Sequence, residues 1–130
     1  MNGIEWIVDA QGCSPDALRD LTKLRGLFAQ MVTDLGLRTI GETRWHQFPE
    51  THGITGLCLL SESHLTCHTF PEFGSLCLNL FCCVPRNRWN FESQLSDLFL
   101  ATSVRVSTVE REYSWPAEVT DAIGTAAESR

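Results

Sequence analysis

At 130 residues the chain is sized for one domain with a two-layer core. Its composition, 43% hydrophobic and 20% charged, is that of a globular protein. A formal charge of −6 excludes the basic face of a general nucleic-acid binder and suits a cationic small molecule.

Taken in chain order, residues 4 to 9 set Ile4, Trp6 and Val8 against Glu5, Ile7 and Asp9, the alternation of a strand with one better-buried face. Ser14-Pro15 signals a helix start, with serine as N-cap and proline at the first helical position. Apolar residues at 18, 21, 24, 27, 28, 31, 32 and 35 then form a stripe at helical spacing, so one helix is expected over 14 to 35, ended by Gly36. A strand is expected over 38 to 47, and the run from Ile54 into Thr69 is strand-like throughout. After Gly74 the alternation of Leu76, Leu78, Leu80 and Cys82 predicts a strand able to pair with the preceding one as a hairpin. Pro85 blocks its continuation, and Asn90 caps a helix carrying Phe91, Leu95, Leu98 and Phe99. Residues 104 to 109 read as a last strand. This order predicts an α+β fold, a two-layer sandwich of an antiparallel sheet with two helices on one face. The tail from Gly124 to Arg130 is expected to be loose, and Trp45, Trp89 and Trp115 are expected to be core or interface anchors.

No run of about 18 apolar residues occurs, so no membrane-spanning helix is expected. The start Met1-Asn2-Gly3-Ile4-Glu5 lacks the basic and apolar regions of a secretory signal, which predicts a cytoplasmic protein. In that compartment the six cysteines, at positions 13, 58, 67, 77, 82 and 83, read as thiols rather than a disulfide framework. They contain no Cys-x-x-Cys pair, so no structural metal site is expected.

Reactive side chains concentrate between Leu59 and Gly74, where Ser63, His64, Cys67, His68, Glu62 and Glu72 lie within strand-like sequence. Each polar group taken from water there needs a hydrogen-bonding partner, so chemistry is the simplest reason to keep them. By residue type alone, His64 and His68 with Glu62 could be metal ligands on one strand face, and Cys82 and Cys83 could be packing residues. Strict alternation puts Glu62, His64, Thr66 and His68 on one face and Ser63 on the other, so a turn or bulge is needed if Ser63 and His68 are to meet.

The segments Gly53-Ile54-Thr55-Gly56, Ser61-Glu62-Ser63-His64, His68-Thr69-Phe70-Pro71-Glu72 and Leu80-Phe81-Cys82-Cys83, in this order and spacing, resemble the core of the bacterial and archaeal S-adenosylmethionine decarboxylases. These are small pyruvoyl enzymes that cleave themselves. The similarity is strong over 53 to 83 and weaker towards both ends, including Gly12-Cys13.

The resemblance implies the same two layers, and a cut between Glu62 and Ser63 that divides the chain into 1 to 62 and 63 to 130. The Ser63 hydroxyl would attack the Glu62 carbonyl, with His68 as the base and Thr55 helping to hold the ester; elimination and loss of ammonia would then leave a pyruvoyl group at position 63. It further implies Schiff-base chemistry with the substrate amine, Cys83 as the proton donor after decarboxylation, Glu72 near the ribose hydroxyls and Phe48 or Phe70 near the adenine. Such enzymes pair into homodimers and supply the aminopropyl donor for spermidine. A decarboxylase needs an electron sink, and Lys23, the only lysine, lies inside the first expected helix, which argues against pyridoxal phosphate.

Four departures from the family pattern bear on substrate rather than catalysis. Phe70 replaces a tryptophan, Asn79 stands where an aspartate is usual, Val84-Pro85 follows Cys83 in place of glycine, and Gly3-Ile4-Glu5-Trp6 lacks the usual Gly-x-His-Leu. A paralogous pyruvoyl-dependent arginine or ornithine decarboxylase is therefore an alternative, as is an uncleaved, non-catalytic interaction domain.

Overall fold

The computed structural model describes residues 2 to 114. The expected loose tail and Trp115 lie outside them. Six strands, β1 (Asn2–Gln11), β2 (Arg44–Gln47), β3 (Ile54–Leu60), β4 (Ser63–Phe70), β5 (Ser75–Cys82) and β6 (Ser103–Glu112), form one antiparallel sheet in the order β2-β3-β4-β5-β1-β6. Three helices, α1 (Pro15–Leu18), α2 (Leu21–Leu35) and α3 (Phe91–Phe99), accompany it. The fold is α+β.

Alternation decides which side of the sheet is covered. Trp6, Val8 and Ala10 of β1, Ile54, Cys58 and Leu60 of β3, Leu65 and Cys67 of β4, and the even-numbered residues 76 to 82 of β5 are buried in one cluster with Leu24, Leu27, Phe28 and Met31 of α2 and Phe91, Leu95 and Phe99 of α3. Burying this one face supplies most of the driving force for folding. The opposite face is open, and it leaves Ile7 39%, Leu57 52% and Leu59 57% exposed.

The first expected helix is two. Ser14 caps α1 through Ala17 N–H, with Pro15 at the first turn as expected, but the helix stops at Leu18. Asp20 then caps α2 by accepting from the N–H groups of Thr22 and Lys23 at 3.0 and 3.3 Å. An aspartate that offers its side chain to nearby N–H groups competes with a continuous helix, and no hydrophobic stripe registers that. The interruption leaves the Leu18 carbonyl free to accept from Thr69 Oγ1 at 2.8 Å, while the same hydroxyl oxygen accepts from Ile54 N–H at 2.9 Å. Thr69, a buried polar residue, thereby ties α1 to β3 and β4. Gly36 ends α2 at φ 62°, in the left-handed region where glycine has no steric cost.

Two other expectations change. The strand expected over 38 to 47 is reduced to Arg44–Gln47 and an isolated bridge between Thr39 and Leu60. The expected single strand from Ile54 into Thr69 is a hairpin, with Leu60 opposite Ser63 and the turn at Ser61 and Glu62. Its second arm pairs with β5 as expected. Among the described residues no helix is long and apolar enough to cross a membrane.

Candidate active site

The turn between β3 and β4 presents the Glu62-Ser63 peptide at one end of the sheet. Cys83, just past the end of β5, donates its backbone N–H to the Glu62 carbonyl at 3.3 Å. The Ser63 hydroxyl is buried and has no hydrogen-bond partner among the described residues. A buried hydroxyl without a partner is costly in a purely structural position. Here it lies on the residue that follows a carbonyl already engaged by a donor. Tyr113 Oη donates to the Cys83 carbonyl at 2.8 Å, which helps to hold the donor strand end. β1 passes close by because Gly3 has no side chain: a Cβ there would stand 2.7 Å from the Cys82 carbonyl oxygen and 3.3 Å from the Cys83 Cα.

A second cluster occupies the other end of the same strand pair. Thr55 and His68 are register partners on β3 and β4, and Thr55 Oγ1 shares a hydrogen bond of 2.5 Å with His68 Nδ1, its direction set by the ring tautomer. The His68 ring lies 4.3 Å from that of Phe70 and 5.5 Å from that of Phe48, centroid to centroid. Phe70 is there because residues two apart on a strand share a face. The 3-10 turn Pro71–Phe73 then carries Glu72 to the same place. A cavity of about 440 Å³ is lined by Phe48, Pro49, Glu50, Thr51, His68, Phe70 and Glu72, within the size range of small-molecule sites. Phe48, Phe70 and Glu72, singled out from the sequence for substrate binding, thus share one cavity with His68.

The two clusters are separate within one chain. The β4–β5 register runs without interruption from Ser63 opposite Cys82 to Phe70 opposite Ser75. No bulge therefore brings Ser63 to His68. The five-residue step from Ser63 to His68 spans about 16 Å at the rise of a strand, and their side chains leave opposite faces. The turn demanded by the alternation exists, but it precedes Ser63 and leaves the two residues apart.

Two of the sequence departures prove to be partners. Asn79 Nδ2 donates to Glu5 Oε2 at 2.5 Å, across the β1–β5 pair, and Arg111 of β6 also engages Glu5. The Asn79 bond holds the Glu5 carboxyl below its ordinary value, burial opposes this, and Arg111 reinforces it. Asn79 and Glu5 are thus direct partners across the β1–β5 pair.

His64 packs its ring against Phe81 at 5.7 Å rather than beside His68. No group of three or more His, Cys, Asp or Glu that could hold a metal ion occurs among the described residues. All six cysteines are free thiols. Cys67 is deeply buried, which pushes its thiol up to about 12 and makes it a packing residue.

Sequence reasoning missed Arg86. Its guanidinium donates to Glu62 Oε2 at 2.7 Å and to the Leu35 carbonyl at 2.8 Å. No period or motif marks it; its only signal is its place in the segment after Cys83 where the chain leaves the family pattern.

Residues 4–112 match the family model described as S-adenosylmethionine decarboxylase. The chain belongs to the S-adenosylmethionine decarboxylase family. It is 32% identical over 110 residues to the S-adenosylmethionine decarboxylase proenzyme of Moorella thermoacetica, covering 84% of this chain and 86% of that one. Against the proenzyme of Syntrophomonas wolfei the identity is 31% over the same shares. The crystal structure of the adenosylmethionine decarboxylase from Aquifex aeolicus superimposes with a TM-score of 0.70, covering 87% of this chain and 92% of that chain at 23% identity, and so shares its fold. The chain shares the α+β architecture of that structure.

Proposed function

We propose that this chain is an S-adenosylmethionine decarboxylase proenzyme that cuts itself between Glu62 and Ser63 into segments 1 to 62 and 63 to 130. The observation that carries the proposal is the Glu62 carbonyl, hydrogen-bonded by Cys83 N–H and followed by the buried, unpartnered Ser63 hydroxyl. A serine hydroxyl is a weak nucleophile, so it needs a polarised carbonyl and a base. Cys83 N–H supplies the first. His68, held by Thr55, is the candidate for the second.

The residues present fit a pyruvoyl group at position 63, since the cut converts a hydroxyl that has no partner among the described residues. Once formed, that group supplies the ketone that serves as electron sink for decarboxylation. The Cys83 side chain, beside the cut, is suited to hold the proton that replaces carbon dioxide. Phe48 and Phe70 offer aromatic faces to an adenine ring or a sulfonium charge, and Glu72 an acceptor for ribose hydroxyls. The product would be the aminopropyl donor for spermidine synthesis.

The separation of His68 from Ser63 supports a homodimer as the acting form. A second copy related by a two-fold axis, its Thr55–His68 end set against the Glu62-Ser63 turn at the end of the first copy's sheet, would supply the base that the single chain keeps on the other face. We infer that each site takes Ser63 and Cys83 from one copy and Thr55 and His68 from the other, in a cytoplasmic enzyme.

Intact-mass spectrometry of purified protein tests the proposal. Two fragments with the boundary at Glu62-Ser63, the second blocked to Edman degradation and both absent from Ser63→Ala, are expected. A wild-type chain that stays full-length after prolonged incubation would remove the proposal and favour the non-catalytic alternative.

A further inference from the structure

We infer that Arg86 is a positioning residue for self-cleavage: it holds the Glu62 carboxylate at the scissile turn and provides the counter-charge for the second carboxylate that the cut creates on Glu62. The inference rests on the cleavage reading above.

Arg86 is fixed from the side away from the turn. Its Nη1 donates to the Leu35 carbonyl at 2.8 Å, one of the last carbonyls of α2, which lack partners within the helix. A helix C-terminus favours a cation. With one edge of the guanidinium fastened there, Nη2 meets Glu62 Oε2 at 2.7 Å. The Arg86 side chain is 21% exposed and that of Glu62 43%, so the cation is the better-buried member of the pair. A surface pair with no other anchor would carry little meaning; this one has its cation held in place before the carboxylate is considered. Arg86 Nε is also buried and has no acceptor among the described residues. The Cys82 thiol lies beside the same guanidinium, and Cys82 is the register partner of Ser63.

The chemistry of the cut gives this charge a use. As the bond from Ser63 Oγ to the Glu62 carbonyl carbon forms, the peptide C–N bond breaks, and the nitrogen of residue 63 takes up the proton. Elimination then removes the Ser63 Cα proton to a base and breaks the Cβ–Oγ bond, whose electron pair leaves on Glu62 as a carboxylate. Water hydrolyses the residue-63 enamine and its nitrogen departs as ammonia. No oxidant or reductant is consumed. The leaving group of the elimination is therefore an anion born on the residue that Arg86 already holds, and a fixed cation lowers the barrier to releasing it.

Cleavage rates of freshly purified precursor test this, followed by intact mass in wild type, Arg86→Gln, Arg86→Lys, Glu62→Gln and the Arg86→Gln/Glu62→Gln double variant, with circular dichroism as the check on folding. Loss of a charge-assisted hydrogen bond should slow cleavage in Arg86→Gln by about 10- to 100-fold. Arg86→Lys keeps the charge and should recover part of the rate, and it keeps the test open should Arg86→Gln not fold. In the Glu62→Gln background the Arg86→Gln change should matter less than in the wild type, because the hold on the side-chain carboxylate is already gone and only the new main-chain carboxylate remains to be countered. Wild-type rates in Arg86→Gln, equal slowing in both backgrounds, or an Arg86→Lys variant no faster than Arg86→Gln would each overturn the inference while leaving the cleavage reading intact. A wild-type chain that never cleaves would remove that reading and this inference together.

Discussion

Ser63 and His68 stand on one uninterrupted strand, five residues apart and on opposite faces of the sheet, each paired in register with β5. No local movement short of unzipping β4 brings them together. Ser63 shares the covered face with its register partners Leu60 and Cys82, so a base from the same copy would have to cross the sheet, whereas one from a second copy needs only to reach the Glu62-Ser63 turn at the end of the sheet.

This arrangement predicts complementation between two inactive variants. Ser63→Ala and His68→Ala should each remain full-length alone. Mixed by co-expression, they form a heterodimer in which an intact Ser63 from the His68→Ala chain meets an intact His68 from the Ser63→Ala chain. The His68→Ala chain should then be cut, and mass spectrometry of the two distinguishably tagged chains reads which one. A His68→Ala chain that cleaves alone, or never cleaves in the mixture, would sink the composite site.

Cys83 is expected to split the two reactions. Its backbone N–H, which any side chain at this position keeps, contacts the Glu62 carbonyl. Cys83→Ala should therefore still cleave, while decarboxylation of the cleaved enzyme falls by about 10²- to 10⁴-fold, the range for a lost general acid. Carbon dioxide release per cleaved chain is the measurement. Normal turnover would make the thiol a packing group.

The cavity around Phe70 is the proposed binding place of the adenosine. Phe70→Ala and Glu72→Gln should each raise KM for S-adenosylmethionine by about tenfold, with a smaller effect on kcat, since they touch parts of the substrate distant from the carboxylate. Adenosine analogues should inhibit the wild type. Efficient turnover of arginine or ornithine, with none of S-adenosylmethionine, would transfer the assignment to the amino-acid decarboxylases.

Glu5 predicts an acid-sensitive contribution to stability. Its carboxyl is held below the ordinary 4.5 by Asn79 and Arg111. A depressed folded-state pKa gives stability that is fully present above the unfolded value and is lost as pH falls through the folded one. Urea midpoints of wild type and Glu5→Gln should therefore differ at pH 7 and converge as pH drops below about 4.5. A difference that does not change with pH would show that the glutamine retains the same bonds.

Much of this was legible in the chain, and the boundary has a physical cause. Alternation at 4 to 9 and 76 to 82, the helical stripe of α2, the Ser14 and Asn90 caps and the Gly36 stop are local facts, set by residues a few positions apart, and they fixed which face of each element is buried. The chemistry expected at Ser63 comes from the resemblance of the segments around it to the S-adenosylmethionine decarboxylases, since residue types alone leave other readings open. Strand register and side-chain ion pairs are long-range. The Leu18 carbonyl that the break at Asp20 leaves free is taken up by Thr69, 51 positions away. Glu5 meets Asn79 across 74 positions, and Arg86 meets Glu62 across 24. None of these contacts leaves a periodic trace. They arise where pairing strands and packing helices bring distant side chains within a few ångströms, so only the tertiary structure decided that Ser63 and His68 stand at opposite ends of β4 and that Arg86 meets Glu62 beside one of them.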